Sequence, residues 1–501
     1  MNTEAPDRSP ATHAAEGVLR SDVQAVNSAA RRVLYKAREP IYPKAVHGTF
    51  RKVKWAAMAI LLAIYYIVPF IRWDRGVGKP DQAVLVDLDR TRFYFFWIEL
   101  WPQEVYFIAG LLIVGALGLF LFTALFGRVW CGYACPQTVW TDLYIAVERW
   151  IEGDRSQRIR LAKEPWSAAK IGKRVSKHAI WLLIAVATGG AWVLYFYDAP
   201  TFLSEVFTGS APFMAYVFVG VLTFTTYSLA GFMREQVCTY MCPWPRIQAA
   251  MVDAESISVT YLKARGEPRG PHKKGSSWDG RGDCIDCNQC VAACPMGIDI
   301  RDGDQLECIN CGLCIDACDE VMDRIDKPRG LISYMALKDE VSERAGGHPK
   351  NVWKHIFRPR TLLYTTLWAG IGVGMIVALF LRSPIGVNVT PVRNPLYVTL
   401  ADGTIRNTYE VRLHNKHGEA RPFHISVTAE DPLQLSLEGK DQTVVEVPAD
   451  ATVTQRVYVT AAPGSKGAQA GRVDLRIWVV DLTPGTTDRV AYDTVFNGKG
   501  K

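Results

Sequence analysis

Twelve cysteines carry the chemistry that this sequence offers, and all of them fall in short clustered motifs. The run "CIDCNQCVAACP" places Cys284, Cys287, Cys290 and Cys294 just ahead of Pro295. The run "CINCGLCIDACD" places Cys308, Cys311, Cys314 and Cys318 in the same pattern. This is the C-x2-C-x2-C-x3-C spacing of bacterial two-cluster ferredoxins, occurring twice. Three closely spaced thiolates take three iron corners of a cubane, and the fourth cysteine of each run crosses to the other cluster. The expected ligands are Cys284, Cys287, Cys290 and Cys318 for one [4Fe–4S] cluster. Cys308, Cys311, Cys314 and Cys294 are expected to hold the second. Small residues between the ligands (Ala292, Ala293, Gly312, Ala317) let the backbone close around a cubane. Zinc ribbons compete as a reading, but their knuckles bring two cysteines each, not four. Asp319 stands where the first run has a proline, which predicts only a local change of turn.

The other four cysteines form a second kind of motif. "RVWCGYACPQ" and "QVCTYMCPWPR" each hold Cys-x-x-x-Cys-Pro, with Cys131 and Cys135 in one and Cys238 and Cys242 in the other. Each follows an apolar run, and each has a central tyrosine, Tyr133 or Tyr240. If the helix continues through a pair, both sulfurs share a face. Pro136 and Pro243 disfavour helix at the preceding cysteine. A new helical pattern, "QTVWTDLYIAVERWIE", follows Pro136, which suits a first turn. Cys135 then sits near a helix N-terminus, where a thiolate is favoured. The two copies form an internal repeat that could gather four thiolates. Three readings stay open: buried apolar cysteines ending helices, thiol–disulfide exchange, and a soft metal site. Copper(I) prefers thiolate and thioether, and Met241 lies inside one motif. A third iron–sulfur cluster is a variant of the metal reading.

The elements around these motifs are membrane-like. Five apolar segments are expected to span, at 55–71, 105–126, 179–197, 211–233 and 361–381. The aromatic, charged stretch "RTRFYFFWIELWPQE" is expected at the interface. The formal net charge is +7, and its distribution is topological. Arg31, Arg32, Lys36, Arg38, Lys44, Arg51, Lys52 and Lys54 precede the first span, and 127–178 is also basic. The connection "DAPTFLSEVFTGS" has no Lys or Arg. The positive-inside rule then puts the N-terminus, 127–178 and 234–360 in the cytoplasm and the C-terminus outside. No basic–aromatic stripe of a nucleic-acid binder is present.

The expected fold is thus a multi-pass α-helical membrane protein with an inserted two-cluster bacterial ferredoxin-like domain and a C-terminal Ig-like β-sandwich. Residues 1–54 form a cytoplasmic tail, and the first 30 or so, which lack a secretory signal, are expected to be disordered. Residues 55–235 form a bundle of four spans, and 236–360 a cytoplasmic segment with the ferredoxin domain at about 275–330. A fifth span covers 361–382. From 385 to 501, alternating strands such as "TQRVYVTAA" and "RVDLRIWVVDL" indicate a periplasmic sandwich that has no cysteine. "GIGVG" at 370–374 lies inside an apolar helix without a preceding strand, so it predicts close helix packing instead of a nucleotide loop. His178 and His355 read as interfacial residues, and His414, His417 and His424 as solvated ones, with an accessory metal site in the sandwich left open. Neither a dinucleotide fingerprint nor a P-loop is found, so electrons must come from another protein or a quinol.

With these residues in hand, the chain resembles the FixG/CcoG/RdxA family from about residue 40 onward. "QVCTYMCPWPRIQAAMVDAES", "RGEPRG", the double ferredoxin run and "CIDACDEVMDRIDKPRGLISY" carry the likeness. The resemblance implies a membrane-bound accessory protein for cbb3-type cytochrome oxidase assembly in the bacterial cytoplasmic membrane. It implies two [4Fe–4S] clusters on the ferredoxin runs and reduction of Cu(II) to Cu(I), with Cys131, Cys135, Cys238 and Cys242 as the copper-linked, catalytic cysteines. Implied partners are oxidase assembly factors, copper chaperones or transporters, an unknown cytoplasmic electron donor and membrane lipid; a homodimer is left open. Two other readings remain: a quinol-linked electron-transfer subunit, and a non-catalytic assembly scaffold.

Overall fold

The computed structural model describes residues 13–15, 18–27, 39–76, 79–272, 277–345, 352–382, 385–486 and 488–500. Arg31, Arg32, Lys36 and Arg38 lie outside the described residues. Two compact units emerge, one holding 1–74 and 80–373, the other 75–79 and 374–501.

The described N-terminal residues are ordered, against the expected disordered tail. β1 (His13–Ala15) pairs with β2 (Val18–Leu19), and the chain onward straps across the cysteine runs. Ser21 N–H donates to the Cys287 carbonyl at 2.9 Å, and Val26 N–H to that of Gly297 at 2.8 Å. These contacts join residues far apart in sequence, so local composition does not announce them.

The first long helix, α1 (Thr49–Ile67), starts before the expected boundary at 55. Its own N-cap is Gly48, which has no side chain to cap with. Asp316 supplies the cap instead: its carboxylate accepts from Phe50 N–H at 3.2 Å and Arg51 N–H at 2.7 Å. A negative charge at the positive helix end satisfies orphan donors and the dipole together. Next comes a three-stranded sheet of β3 (Val84–Asp87), β4 (Arg92–Phe95) and β5 (Ile98–Leu100). The aromatic stretch expected at the interface contains β4, β5 and a 3-10 turn at Pro102–Glu104.

α2 (Val105–Phe126) and α3 (Val129–Tyr133) lead into α4 (Pro136–Glu152) and α5 (Arg155–Lys163). α6 (Ala168–Val193) follows, then α7 (Ala199–Thr208), a helix where a plain connection was expected. α8 (Phe213–Thr226) continues as a π-helix, Tyr227–Met233, and a second π-turn covers Val237–Met241. Four described helices, Thr49–Phe70, Val105–Phe126, Phe213–Met233 and Pro359–Phe380, are long and apolar enough to cross a membrane. The chain is thus a multi-pass membrane protein. α6, the expected third span, falls outside that group because its first turns are basic. It nonetheless packs closely on α8: a Cβ on Gly189 would meet the Val219 carbonyl at 2.8 Å.

After α9 (Trp244–Ala249), β6 (Ile257–Tyr261) and a single turn α10 (Lys263–Gly266), the ferredoxin-like part contains α11 (Gln289–Ala293) and α12 (Leu313–Arg324). β7 (Ile332–Ala336) returns to pair antiparallel with β6. α13 (Leu337–Arg344) and α14 (Val352–Ile356) lead to α15 (Pro359–Phe380). Gly370, Gly372 and Gly374 face open space among the described residues, so the expected close packing at "GIGVG" is absent there.

In the second unit, β8 (Ile385–Pro391), β9 (Val398–Thr399), β10 (Ile405–Asn415), β12 (Leu433–Leu437) and β14 (Thr452–Ala461) make one sheet. β11 (Arg421–Ala429), β13 (Val444–Val447), β15 (Val473–Asp481) and β16 (Arg489–Phe496) make the other. Inward residues such as Tyr409, Val411, Phe423, Val459 and Ile477 are fully buried between the sheets, as alternation requires. The expected sandwich is present.

Candidate functional site

The two ferredoxin runs repeat their backbone as well as their sequence. Asp286 and Asn288 flank Cys287 with φ of 54° and 58°, and Asn310 and Gly312 flank Cys311 with φ of 51° and 72°. Left-handed residues at these points curl each loop around a centre. The curl aims backbone N–H groups at sulfur: Gln289 at Cys287, Asn310 at Cys308, and Ile298, Met296 and Gly297 at Cys294.

The fourth cysteine of each run faces the other run. Burial pushes the Cys318 thiol well up, and neighbouring Cys290, Cys287 and Cys284 push it further. Cys294, Cys308, Cys311 and Cys314 line one cavity with Ile298, Ile309 and Gly312, and Cys290 of the other set borders it. Burial pushes Cys294 up to about 11 and Cys308 up to about 12. Two sets of four buried or half-buried cysteines, met by backbone donors and walled by apolar side chains, fit two cubanes. Protonated thiols in such a site are the state that a bound metal displaces.

The two Cys-x-x-x-Cys-Pro arms do not continue as helices through both cysteines. In the first arm Cys135 is extended, with φ −62° and ψ 127°, and starts α4. In the second, Cys242 is likewise extended, with φ −80° and ψ 123°. The prolines enforce this, as expected. What the sequence does not reveal is the π-form of the second arm. The four thiols nonetheless converge. Burial pushes Cys238 up to about 12, aided by Cys135, Cys131 and Cys242. Cys131 is pushed up to about 11 by burial, while Arg128 pulls the other way. Its Sγ donates to Gln248 Oε1 at 3.1 Å, and the Gln248 amide donates in turn to Thr123 Oγ1 at 3.2 Å. Met241, inside the second motif, is exposed, whereas Met296 is buried in one apolar cluster with Cys131 and packs near Cys238.

Both arms approach the same ferredoxin ligand set. A Cβ on Gly132 would lie 2.6 Å from the Ile309 carbonyl and 3.1 Å from Cys311 Cα, so α3 rests directly on that loop. Tyr133 Oη donates to the Cys311 carbonyl at 2.9 Å. Cys238 shares a small pocket with Pro295, Met296 and Ile309, next to Cys294. In the set of Cys284, Cys287, Cys290 and Cys318, the Ser21 strap lies against Cys287.

Charge is buried around the arms. Arg234 leaves the π-helix at φ 43°, a strained value for a residue with a Cβ, and its Nη2 donates to Glu148 Oε1 at 2.7 Å. Burial alone would raise the Glu148 carboxyl, but Arg234, Arg158 and Lys177 hold it below its ordinary range. Asp142, which accepts from Arg51 Nη1 at 2.9 Å, is likewise held low against the effect of burial by Lys54 and Arg51. Arg128, Gln248, Met296 and Asp316 escaped the sequence reading because each acts through a distant contact.

The histidines stand apart from this site. His178 shares a hydrogen bond with Tyr227 at 3.0 Å. His355 is buried against Asp339 at 2.8 Å, not merely interfacial. In the sandwich, donor atoms of His417, Asp481 and Asp488 lie within 4.8 Å of one another. Asp481 is already engaged there, by Arg421 at 2.8 Å and Thr483 N–H at 2.8 Å, so the group is an ion-pair network.

Known proteins match along the whole chain. A 4Fe-4S dicluster domain model matches residues 233–337, and a 4Fe-4S binding domain model matches 108–154. The Ig-like fold at the C-terminus of FixG matches 375–499. The chain is 63% identical to Protein RdxB of Cereibacter sphaeroides, over 93% of this chain and 98% of that protein. It is 56% identical to Protein RdxA of the same organism, over 89% and 95%. It is 48% identical to the nitrogen fixation protein FixG of Rhizobium meliloti, over 98% of each. Among solved structures, a FixG-related protein from Vibrio parahaemolyticus aligns over 24% of this chain and 99% of its own, at 18% identity and TM-score 0.20.

Proposed function

This chain belongs to the family of RdxA, RdxB and FixG, and from that premise we propose that it reduces Cu(II) to Cu(I) in support of cbb3-type cytochrome oxidase assembly. At the coarser level it is an iron–sulfur electron-transfer protein of the membrane. Cys284, Cys287, Cys290 and Cys318 hold one [4Fe–4S] cluster; Cys308, Cys311, Cys314 and Cys294 hold the other. Bound there, such clusters supply one-electron transfer. The observation that carries the copper reading is the seating of the arms: Gly132 lies against the Ile309–Cys311 backbone, so four soft donors adjoin one ferredoxin ligand set.

The chain's own residues do the rest. Cys131, Cys135, Cys238 and Cys242 bind copper, and thiolates favour Cu(I) over Cu(II). The ligand set itself thus biases the couple toward the reduced ion. Each Cu(II) takes up one electron, and a reduced cytoplasmic donor is oxidised by one electron in turn. Thiol protons leave as copper binds, so affinity rises with pH. Val46, Met296, Ile309 and Leu313 wall the thiols with apolar surface. In this reading the arms and both ligand sets face the cytoplasm of a bacterial inner membrane, and the sandwich faces the periplasm. Copper chaperones or transporters and oxidase assembly factors receive the Cu(I).

The test uses full-length protein purified without oxygen, with Cys238→Ser and Cys242→Ser combined. Copper binding and Cu(II) reduction are expected to disappear while iron stays at about eight per chain. Persistence of both copper properties sinks the assignment. A drop from about twelve irons to about eight would place a third cluster on the arms instead.

A further inference from the structure

We infer that Arg128 is the positioning charge of this site, one buried guanidinium shared by the membrane-edge thiols and the Cys308 side of the adjoining ferredoxin ligand set. This deepens the proposed function and rests on it only for the identity of the acceptor.

Arg128 stands between Gly127 and α3 and is 6% exposed. Its Nη1 donates to the Leu306 carbonyl, two residues before Cys308. Its Nε is buried without a hydrogen-bond partner. Arg128 and Cys308 line one cleft, together with Asn310 and Leu306. Among the described residues no carboxylate forms an ion pair with Arg128. Two acids line the same cleft: Asp253, which is taken by Arg358 and by Arg360, the latter at 3.0 Å, and Asp304, which makes no ion pair with Arg128 and whose carboxyl burial pushes up. A buried cation with no carboxylate is expensive. The groups that can answer its charge are sulfurs: Arg128 bears chiefly on Cys131, and to a lesser degree on Cys238 and Cys308.

The internal repeat supplies the control. The position that matches Arg128 in the second arm is Glu235, equally buried at 6% exposed and of opposite sign. The arm's backbone therefore does not need an arginine here. A fixed positive charge stabilises whichever metal state carries one more electron, because the reduced state is more negative. Placed between two sulfur sets, it favours reduction on both sides of the step.

The experiment is a potentiometric EPR titration of the full-length, iron-loaded protein and of Arg128→Gln. One cluster is expected to become about tenfold harder to reduce, which is 59 mV for one electron, while the other keeps its midpoint. Arg128→Lys keeps the charge and is expected to restore most of that shift. Unchanged midpoints, or equal movement of both, overturns the inference. If Arg128→Gln fails to keep iron, Arg128→Lys must keep it with a near-native midpoint, or the inference falls. Copper is absent from this titration. A wild-type protein that reduces no copper would therefore overturn the proposed function alone.

Discussion

The two Cys-x-x-x-Cys-Pro arms share a kinked start and an extended end and differ in what they touch. Each begins with the same unusual kink: Gly127 has φ 57° and ψ −125°, and Arg234 has φ 43° and ψ −112°. Each ends with an extended cysteine before proline. The contacts then diverge. The first arm lays its own backbone on the Cys311 loop and ties it with Tyr133. The second reaches the ferredoxin part through the Cys238 side chain, and its Tyr240 is 48% exposed. Its strain is held from the other direction, by Glu148 and by the Gly231 carbonyl, which accepts from Arg234 Nε at 2.8 Å. A repeat supplies two similar thiol presenters; the substitutions between them decide which one docks and which one is braced by charge.

The sharpest way to break this comparison is to make the first arm read like the second. Gly132 matches Thr239, so Gly132→Thr installs the partner arm's residue. The added Cβ would meet main-chain atoms of Ile309, Asn310 and Cys311, which cannot swing aside as a side chain can. We expect a loss of about 4 kcal/mol or more in thermal or denaturant unfolding, above the usual cost of overpacking. Iron bound at the adjoining ligand set should fall with it. Thr239→Gly, the reciprocal change, should retain iron. Equal tolerance of both substitutions would mean that α3 is not docked.

The brace of the second arm comes next. Glu148→Gln leaves Arg234, Arg158 and Lys177 facing a neutral amide in a buried site. Breaking one side of a buried ion pair costs about 3 kcal/mol or more. The folded Glu148 carboxyl titrates below its unfolded value, so its contribution is present above the ordinary carboxylate range. It is lost as pH falls through the lower, folded value. Unfolding measured against pH should therefore show the wild type converging on Glu148→Gln in acid. A gap between them that persists undiminished at low pH would remove Glu148 from this role.

The docking and the bracing differ in how visible they were in the sequence. The ferredoxin-like domain could be read because its pattern is local: three cysteines of each run sit on one curled loop, and only the fourth must cross. The sandwich could be read from period-two alternation, as in the fully buried Tyr409, Val411 and Leu413. The arms were visible as a repeat, and the prolines predicted extended cysteines. Hidden features depend on residues distant in the chain. Asp316 caps a helix that begins at Thr49, and the Ser21 strap bonds to Cys287. The π-form of the second arm and the bond from Arg234 to the distant Glu148 are likewise features that no local propensity encodes. One hidden feature had a signal after all: aligning the arms sets Arg128 against Glu235, a charge reversal at a buried position.

The smallest effect tests the tyrosines, the feature that the arms most visibly share. Tyr133 Oη donates to the Cys311 carbonyl at 2.9 Å, and desolvation by burial pushes the phenol up to about 12. Tyr133→Phe keeps the ring and removes the hydroxyl, which bonds the Cys311 carbonyl and also meets the Tyr334 hydroxyl. A single hydrogen bond is worth about 1 kcal/mol net, and leaving the Cys311 carbonyl without its donor sets the sign as destabilising. Tyr240 has its ring half in solvent, so Tyr240→Phe should change stability by less than about 0.5 kcal/mol. Side-by-side unfolding of the two variants measures the asymmetry with the backbone held constant. If Tyr240→Phe costs as much as Tyr133→Phe, the arms are equivalent in solution and only their side-chain lists differ. A loss confined to Tyr133→Phe identifies the first arm as the docked one, by a change too small to disturb the fold around it.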